Sequence, residues 1–214
     1  IVTREALDNA ATVVAATGGS TNAGLHLPAI AHEAGIVYTL DDVAKIFKRT
    51  PYIADLVPGG RYNATDMYQA GGIGVVIKEL LDNGLLNGDC VTVTGKTIAE
   101  NHKSMRFPKN QKVFHRVSAP LSPTGGVVGL KGNLAREGAI VKVAGMESLK
   151  FEGPARVFDC EEDAFEAVVN KKFKEGDVLV IRYEGPRGGP GMREMLSTTA
   201  ALYGLGMGDK VALI

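Results

Sequence analysis

Residues 178–195 read VLVIRYEGPRGGPGMREM, an apolar run that leads into a loop dense in glycine and proline. The run Val178–Ile181 predicts a buried β-strand, because apolar and β-branched residues fill it. Residues 185–191 hold four glycines and two prolines, and the carboxylates of Glu184 and Glu194 flank them. Ligands of α/β sheets bind at the carboxyl ends of strands. We therefore predict a ligand-binding loop here, with an ordinary surface turn as the alternative.

Further short apolar runs between glycine and proline turns predict more strands in residues 110–214. These runs are Val113–Val117, Val127–Leu130, Ala139–Val143, Ala155–Phe158 and Val211–Ile214. One helix interrupts them, since Asp159 with Glu162 resembles a capping box at a helix start. An apolar stripe of Ala164, Phe165, Val168 and Val169 follows. Residues 110–214 are therefore predicted to form a β-rich α/β domain.

Residues 1–109 show helical patterns instead, and the fold class predicted for the whole chain is α/β. Glycine or proline ends each predicted helix. The predicted helices cover residues 3–16, the stretch from the caps at 20–22 to Glu33, the stretch from Asp41 to Pro51, the stretch from Thr65 to Gly71, and residues 73–83.

Charge and composition exclude several classes of partner. The 214 residues contain 24 Lys and Arg against 24 Asp and Glu, so the formal net charge is zero. A neutral chain lacks the positive field that attracts nucleic acid or anionic lipid. Aromatic residues make up only 6% and Trp is absent, which leaves few platforms for base stacking. No apolar run approaches the roughly 20 residues that span a bilayer, so we expect neither nucleic acid nor membrane as a partner.

The chain contains two cysteines. Cys90 and Cys160 are isolated from each other and from histidines at metal-binding spacing, so we predict reduced, buried, small apolar residues.

The chain opens at Ile1 in a helical pattern and closes at Ile214 on a strand-like run, whereas domain termini normally fray into solvent. We therefore expect the chain to be a portion of a longer protein.

Two polar motifs remain. Thr17–Asn22 reads TGGSTN, a glycine turn followed by hydroxyl and amide side chains at a predicted helix start. Free N–H groups at such a start bind anions, and the alternative is a plain helix end followed by a helix cap. Val93–Asn101 contains Gly-Lys-Thr without the preceding glycine spacing of a phosphate-binding loop, so it only weakly indicates nucleotide binding.

Several of these motifs, in this order, resemble the dihydroxy-acid and phosphogluconate dehydratase family. The motifs are Gly18–Asn22 with Leu25–Leu27, Thr92–Asn101, Lys131–Ala135 and Glu184–Met195. The resemblance runs over essentially all 214 residues. Ala54–Leu56 and Arg156–Asp159 fit the dihydroxy-acid branch better than the phosphogluconate branch.

The resemblance implies a cytoplasmic, homodimeric hydro-lyase of branched-chain amino-acid biosynthesis, which converts a 2,3-dihydroxy acid through an enol to a 2-keto acid. An iron–sulfur cluster (2Fe–2S or 4Fe–4S) is the implied Lewis acid at the 3-hydroxyl, Mg²⁺ holds the carboxylate and the 2-hydroxyl, and a serine alkoxide takes the C2 proton. The implied fold is an α/β N-terminal domain, of which residues 1–109 form the last part, followed by a β-barrel-like swivelling domain over residues 110–214.

The resemblance also implies where the site residues lie. Glu194 is the implied Mg²⁺ ligand, and Glu184 is the fallback. Independently of the resemblance, the N–H groups at the predicted helix start make Gly19, Ser20, Thr21 and Asn22 the candidate residues for binding the substrate carboxylate. The cluster cysteines are implied before Ile1 and the serine after Ile214, so we expect this chain to hold neither the cluster nor the serine and to be inactive alone. The alternatives are a sister dehydratase for a sugar acid or 6-phosphogluconate, and a non-catalytic swivelling or binding module.

Overall fold

The computed structural model describes residues 1–143, 149–185 and 195–214. The chain forms two compact units, Ile1–Glu147 and Ser148–Ile214. The first unit therefore contains, besides the N-terminal helices, two of the strands predicted within residues 110–214. Among the described helices, none has both the length and the apolar character needed to cross a bilayer.

The first unit is mainly helical, with one small sheet. Its helices are α1 (Arg4–Thr17), α2 (Ala23–Glu33), α3 (Leu40–Arg49), α4 (Ala64–Gln69), α5 (Ile73–Asp82) and α6 (Ile98–His102). Its strands are β1 (Val127–Leu130) and β2 (Ala139–Lys142), which pair antiparallel with Val128 opposite Val141. All helices predicted before residue 84 are confirmed within one or two residues at their ends, and α6 is an addition that the sequence pattern did not predict.

Local capping explains where these helices begin and end. The Thr3 side chain accepts the N–H of Ala6 at 3.2 Å and starts α1. Gly18, with a φ of 59°, ends α1 in the left-handed conformation, and the N–H of Gly19 returns to the carbonyl of Val14 at 2.9 Å. Thr39 and Asp42 form a reciprocal capping box at the start of α3.

Helix α1 separates two apolar cores in the first unit. Its small residues Ala11 and Ala15 face a core that also holds Phe47 of α3 and Val127 of β1. Ala16 faces a second core, built mainly from α5 and the segments near residues 53 and 114. Each large side chain buried in these cores contributes about 1.5–3 kcal/mol of hydrophobic stabilisation relative to an exposed one.

The second unit alternates strands and helices. In chain order it contains β3 (Ala155–Phe158), α7 (Glu161–Val169), β4 (Val178–Ile181), α8 (Leu196–Gly204) and β5 (Ala212–Leu213). The strands form a parallel three-stranded sheet in the order β3-β4-β5, with Val157 opposite Val180. The two crossovers step in the same direction along the sheet, so the right-handed connection usual for parallel strands would put both helices on one face. Helix α7 packs against α8, as this arrangement requires. Val168 and Leu179, both fully buried, centre the core between them.

One strand prediction is wrong. Val113–Val117 makes a single bridge, between Phe114 and Ala54, instead of a strand. The partner segment is too short to continue the ladder, because Tyr52 already pairs with Ser122 and the N–H of Leu56 turns back to the carbonyl of Ala54. The five other predicted strands are confirmed as β1 to β5, with ends shifted by at most one residue.

The second unit also differs from the predicted β-rich texture. It contains two helices where the sequence pattern predicted one, since α8 was not expected. The capping box at Asp159 is wrong as well: Cys160 is the N-cap of α7, and the Asp159 side chain pairs with Arg182. The predicted stripe is only partly buried, because Phe165 is 39% exposed. Both sheets among the described residues are open, so the barrel stays a prediction.

Candidate functional site

The carboxyl edge of the parallel sheet brings together residues that are distant in the chain. Strands β3 and β4 end side by side at Phe158 and Ile181. Asp159 follows β3 and Arg182 follows β4, and Arg182 Nε donates to Asp159 Oδ1. Both side chains are more than half exposed, so this ion pair contributes at most about 1 kcal/mol to stability. The edge leads directly into the predicted ligand-binding loop.

Glu184 is buried at this edge, at the start of that loop. It is 6% exposed, and its Oε1 accepts the N–H of Glu161 at 3.1 Å. Glu161 is the first residue of α7, and the first N–H groups of a helix lack partners within the helix and carry partial positive charge. The N-cap itself is Cys160, whose thiol is a poor acceptor. The Glu184 carboxylate therefore supplies the cap that α7 needs.

Glu161 in turn caps α8. Its side chain is 7% exposed, and its Oε1 accepts the N–H of Thr198 at 3.5 Å. Thr198 is the third residue of α8 and is fully buried, while the N-cap is Met195, whose thioether is also a poor acceptor. The sequence pattern does not point to Glu161, because an acidic residue in the first turn of a helix is common and nothing in the sequence indicates that it contacts a second helix.

Glu194 lies in residues 186–194, outside the described residues. Its role as a Mg²⁺ ligand stays a prediction, and so does that of Glu184 as a fallback. Among the described residues, no group of three or more His, Cys, Asp or Glu side chains is arranged to hold a metal ion. The described residues alone therefore supply no set of three such ligands for Mg²⁺.

The cysteines do not fit an iron–sulfur cluster either. Cys90 and Cys160 are free thiols that lie one in each unit, and both are only half-buried, so the prediction of buried cysteines is wrong. Clusters of this kind take about four protein ligands, mostly thiolates. Burial raises the pKa of the Cys90 thiol, which disfavours the thiolate form that metals require.

The turn over residues 18–22 makes its backbone hydrogen bonds mainly within itself and with α1. The N–H of Ala23 donates to the carbonyl of Ser20 at 3.2 Å, and the N–H of Gly24 donates to that of Thr21 at 2.9 Å. The Ser20 hydroxyl accepts the N–H of Asn22 at 3.2 Å. The N–H groups of Asn22, Ala23 and Gly24 are therefore engaged within the turn, so an anion bound there would have to use other donors, such as the side-chain hydroxyls.

Tyr52 packs against this turn. A Cβ atom placed on Gly18 would lie only 2.8 Å from Cε2 of the Tyr52 ring, and that side chain is 6% exposed. Burial raises the pKa of the Tyr52 hydroxyl. The sequence could not predict this contact, because Tyr52 lies beyond two helices from the turn.

The Gly-Lys-Thr motif folds into a self-contained turn rather than a phosphate loop. Val91 pairs with Thr97 across it, and Asn101 Nδ2 donates to the Thr92 hydroxyl at 2.7 Å. Thr97 and Glu100 form the capping box that starts α6. Because the polar groups satisfy one another, this segment has a structural role.

Comparison with known proteins assigns the family. Residues 1–101 match the model of the dihydroxy-acid/6-phosphogluconate dehydratase N-terminal region, and residues 112–214 match the model of the C-terminal region. Together the two models cover nearly the whole chain.

Individual relatives agree with these models. The chain is 70% identical over its whole length to dihydroxy-acid dehydratase 2 of Bradyrhizobium diazoefficiens, of which it covers 37%. It is 69% identical to a dihydroxy-acid dehydratase of Parvibaculum lavamentivorans and 53% identical to one of Metallosphaera sedula, covering 38% and 39% of them and aligning over all of this chain. The chain thus spans under two fifths of the length of these relatives. It belongs to the dihydroxy-acid/6-phosphogluconate dehydratase family.

Proposed function

We propose that the protein acts as a hydro-lyase that dehydrates a 2,3-dihydroxy carboxylate to a 2-keto acid, as a step of branched-chain amino-acid biosynthesis. The observation that carries this proposal is the identity of 70% and 69%, over the whole chain, to two proteins named dihydroxy-acid dehydratase. Both of these alignments span the whole chain and therefore both units.

The reaction itself is an elimination followed by a tautomerisation. A base takes the proton from C2, the C3–O bond breaks, and the departing hydroxyl gains a proton and leaves as water, so an enol remains between C2 and C3. The enol then gains a proton at C3 and becomes the 2-keto acid. The family resemblance implies an iron–sulfur cluster and Mg²⁺ as cofactors, which would supply Lewis acidity and charge neutralisation when bound.

Within this chain, we propose Glu194 as the residue that contacts Mg²⁺. A hard cation prefers oxygen ligands such as carboxylates, and Glu194 belongs to the loop that starts at the carboxyl edge of the parallel sheet. The contacts of Glu184 support this choice over the fallback, because its carboxylate already caps α7 through the N–H of Glu161. A carboxylate buried in that role is less available to a metal.

We propose further that the hydroxyls of Ser20 and Thr21 contact the substrate carboxylate. The backbone N–H groups of Asn22, Ala23 and Gly24 are engaged within the turn, so side-chain donors remain for a ligand. The Ser20 side chain is exposed and can turn toward one. Gly19 and Asn22 would then shape the turn rather than bind the substrate directly.

A substrate panel tests the proposed reaction. The full-length gene product, purified without oxygen and supplied with iron, sulfide and Mg²⁺, would be assayed for keto-acid formation from 2,3-dihydroxyisovalerate, gluconate and 6-phosphogluconate. We expect the dihydroxyisovalerate to react with the highest kcat/KM. A preference for gluconate or 6-phosphogluconate would favour a sister dehydratase, and no turnover of any of them would favour a non-catalytic module. The cytoplasmic location and the homodimer stay predictions of the family resemblance.

A further inference from the structure

We infer that the hydroxyl of Tyr52 is a ligand-binding group, which donates a hydrogen bond to the substrate carboxylate at the turn over residues 18–22. The inference deepens the proposed function and rests on it, because this turn is the proposed carboxylate site. It is carried by a buried hydroxyl that has no hydrogen-bond partner among the described residues. Tyr52 and the turn both belong to the first unit.

The first argument is the unpaired state of this hydroxyl. Tyr52 is 6% exposed, and its hydroxyl oxygen is buried without a partner in the described part of the chain. The N–H of Leu56 lies close enough to act on that oxygen, but it already donates to the carbonyl of Ala54 at 2.9 Å, and an N–H group cannot accept the hydroxyl proton. Buried polar groups in native proteins are rarely left without a partner, so the hydroxyl requires an acceptor from outside these residues.

The second argument is the direction of the Tyr52 side chain, which is aimed at the turn. A Cβ atom on Gly18 would lie 2.8 Å from Cε2 of Tyr52 and 3.4 Å from its hydroxyl oxygen. The backbone holds this placement, because the N–H of Tyr52 donates to the carbonyl of Ser122 at 3.0 Å and its carbonyl accepts the N–H of Leu121 at 2.9 Å. The hydroxyl therefore has a defined position beside the candidate site.

The third argument is that the turn offers further donors to the same ligand. Among the described residues, none accepts the N–H of Ser20 or that of Thr21. Both groups precede α2, an 11-residue helix, and the start of a helix favours an anion. A carboxylate has two oxygens with about four acceptor positions. It can therefore accept from these N–H groups or the neighbouring hydroxyls and from Tyr52 together.

The protonation state of Tyr52 suits this role. Burial raises the pKa of its hydroxyl, and the nearby Asp55 carboxylate raises it further, so the group stays a donor at neutral pH. A hydrogen bond from a neutral donor to a carboxylate is stronger than one between two neutral groups. Because the hydroxyl is covered, the ligand reaches it through a small shift of the turn, and Gly18 and Gly19 have the backbone freedom for such a shift.

The test compares Tyr52→Phe with Tyr38→Phe in the full-length gene product, because both changes remove only a hydroxyl. Tyr38 is the matched control: it is 5% exposed, but its hydroxyl donates to Asp8 Oδ1 at 3.0 Å. For each variant we would measure the melting temperature, the KM and kcat for the acid that reacts best, and the dissociation constants of 2-ketoisovalerate and of its methyl ester. The ester keeps the shape of the keto acid and lacks the charged carboxylate.

We expect Tyr52→Phe to keep or raise the melting temperature, because the variant no longer buries an unpaired hydroxyl. It should raise KM and the dissociation constant of 2-ketoisovalerate by about 10-fold or more, as for a lost hydrogen bond to a charged group, with kcat within about twofold. Binding of the methyl ester should change by less than about twofold. Tyr38→Phe should show the opposite pattern, with a lower melting temperature and unchanged ligand constants.

Three results would overturn the inference. Unchanged ligand constants in Tyr52→Phe would show that the hydroxyl does not meet the ligand. A melting temperature lowered as in Tyr38→Phe would show that it has a structural partner, and an equal loss of affinity for the ester would show that it does not act on the carboxylate.

Failure of the proposed function gives a different result. A preference for gluconate or 6-phosphogluconate would replace the proposed substrate, but these acids also carry a carboxylate, so the KM ratio of Tyr52→Phe to wild type would still decide the inference. If no acid reacts, the proposed function fails, and binding of 2-ketoisovalerate alone decides the role of Tyr52.

Discussion

Replacing Gly18 with Ala should destabilise the protein more than the same change at Gly35. Both glycines have left-handed backbone conformations, with φ of +59° and +71°, which cost an L-residue about 1–2 kcal/mol. The surroundings differ: a Cβ on Gly18 would lie 2.8 Å from Cε2 of Tyr52, whereas a Cβ on Gly35 would meet none of the described atoms within 4 Å. Gly35 is therefore a matched control for backbone strain without a clash.

The magnitudes follow from these two environments. At Gly35, Ala also reduces the entropy of the unfolded chain by about 0.4–1 kcal/mol, so the net loss should be about 1 kcal/mol or less. At Gly18 the buried Tyr52 ring must move, which adds about 1–3 kcal/mol. The expected loss there is about 2–4 kcal/mol in the free energy of unfolding, measured by urea denaturation followed by circular dichroism.

A double-mutant cycle shows whether the Tyr52 contact is the cause. In a Tyr52→Ala background the ring is absent, so Gly18→Ala should cost about as much as Gly35→Ala. Equal losses at Gly18 and Gly35 in the wild-type background would refute the steric argument and leave only backbone strain at both positions.

Three further predictions concern the site and its support. Glu194→Gln should preserve the melting temperature and raise the Mg²⁺ concentration needed for half-maximal activity, whereas an unchanged Mg²⁺ titration would exclude it as a ligand. The double variant Ser20→Ala, Thr21→Ala should raise KM by about 10-fold, since each lost hydrogen bond is worth about 0.5–1.5 kcal/mol; an unchanged KM with a lower melting temperature would make the turn purely structural. The N–H of Lys174 and the guanidinium of Arg156 lower the pKa of the Asp177 carboxyl. The stabilising contribution of Asp177 is therefore present above its unfolded pKa of about 3.9 and is lost as the pH falls through the lower pKa of the folded state. Acid titration of unfolding should therefore show a weaker pH dependence in Asp177→Asn.

The sequence predicted those elements of the fold that local patterns determine. Val178–Ile181 forms β4 because an unbroken apolar run suits a strand at the centre of a sheet, with its face buried under helices. Gly18 ends α1 because only glycine adopts the left-handed conformation without cost. Signals of this kind act within a few residues, so they can be read without knowing the tertiary structure.

The errors occur where a partner elsewhere in the chain decides the outcome. Phe114 has strand-like neighbours, yet its pairing partner turns away after Ala54. Helix α8 was not predicted because LSTTAALYG has weak apolar periodicity and lacks a polar cap, and the missing cap comes from Glu161. The same long-range contact hid the role of Glu161 in the candidate site.

Isotope transfer during turnover tests the proposed elimination most directly. The full-length gene product would convert 2,3-dihydroxyisovalerate in D₂O, and the product would be analysed by mass spectrometry and proton NMR. Because the enol takes its new hydrogen from solvent, the product should be a 2-keto acid with one deuterium at C3, and a substrate deuterated at C2 should lose that label. A keto acid that keeps the C2 label, or that carries no solvent deuterium at C3, would contradict dehydration through an enol.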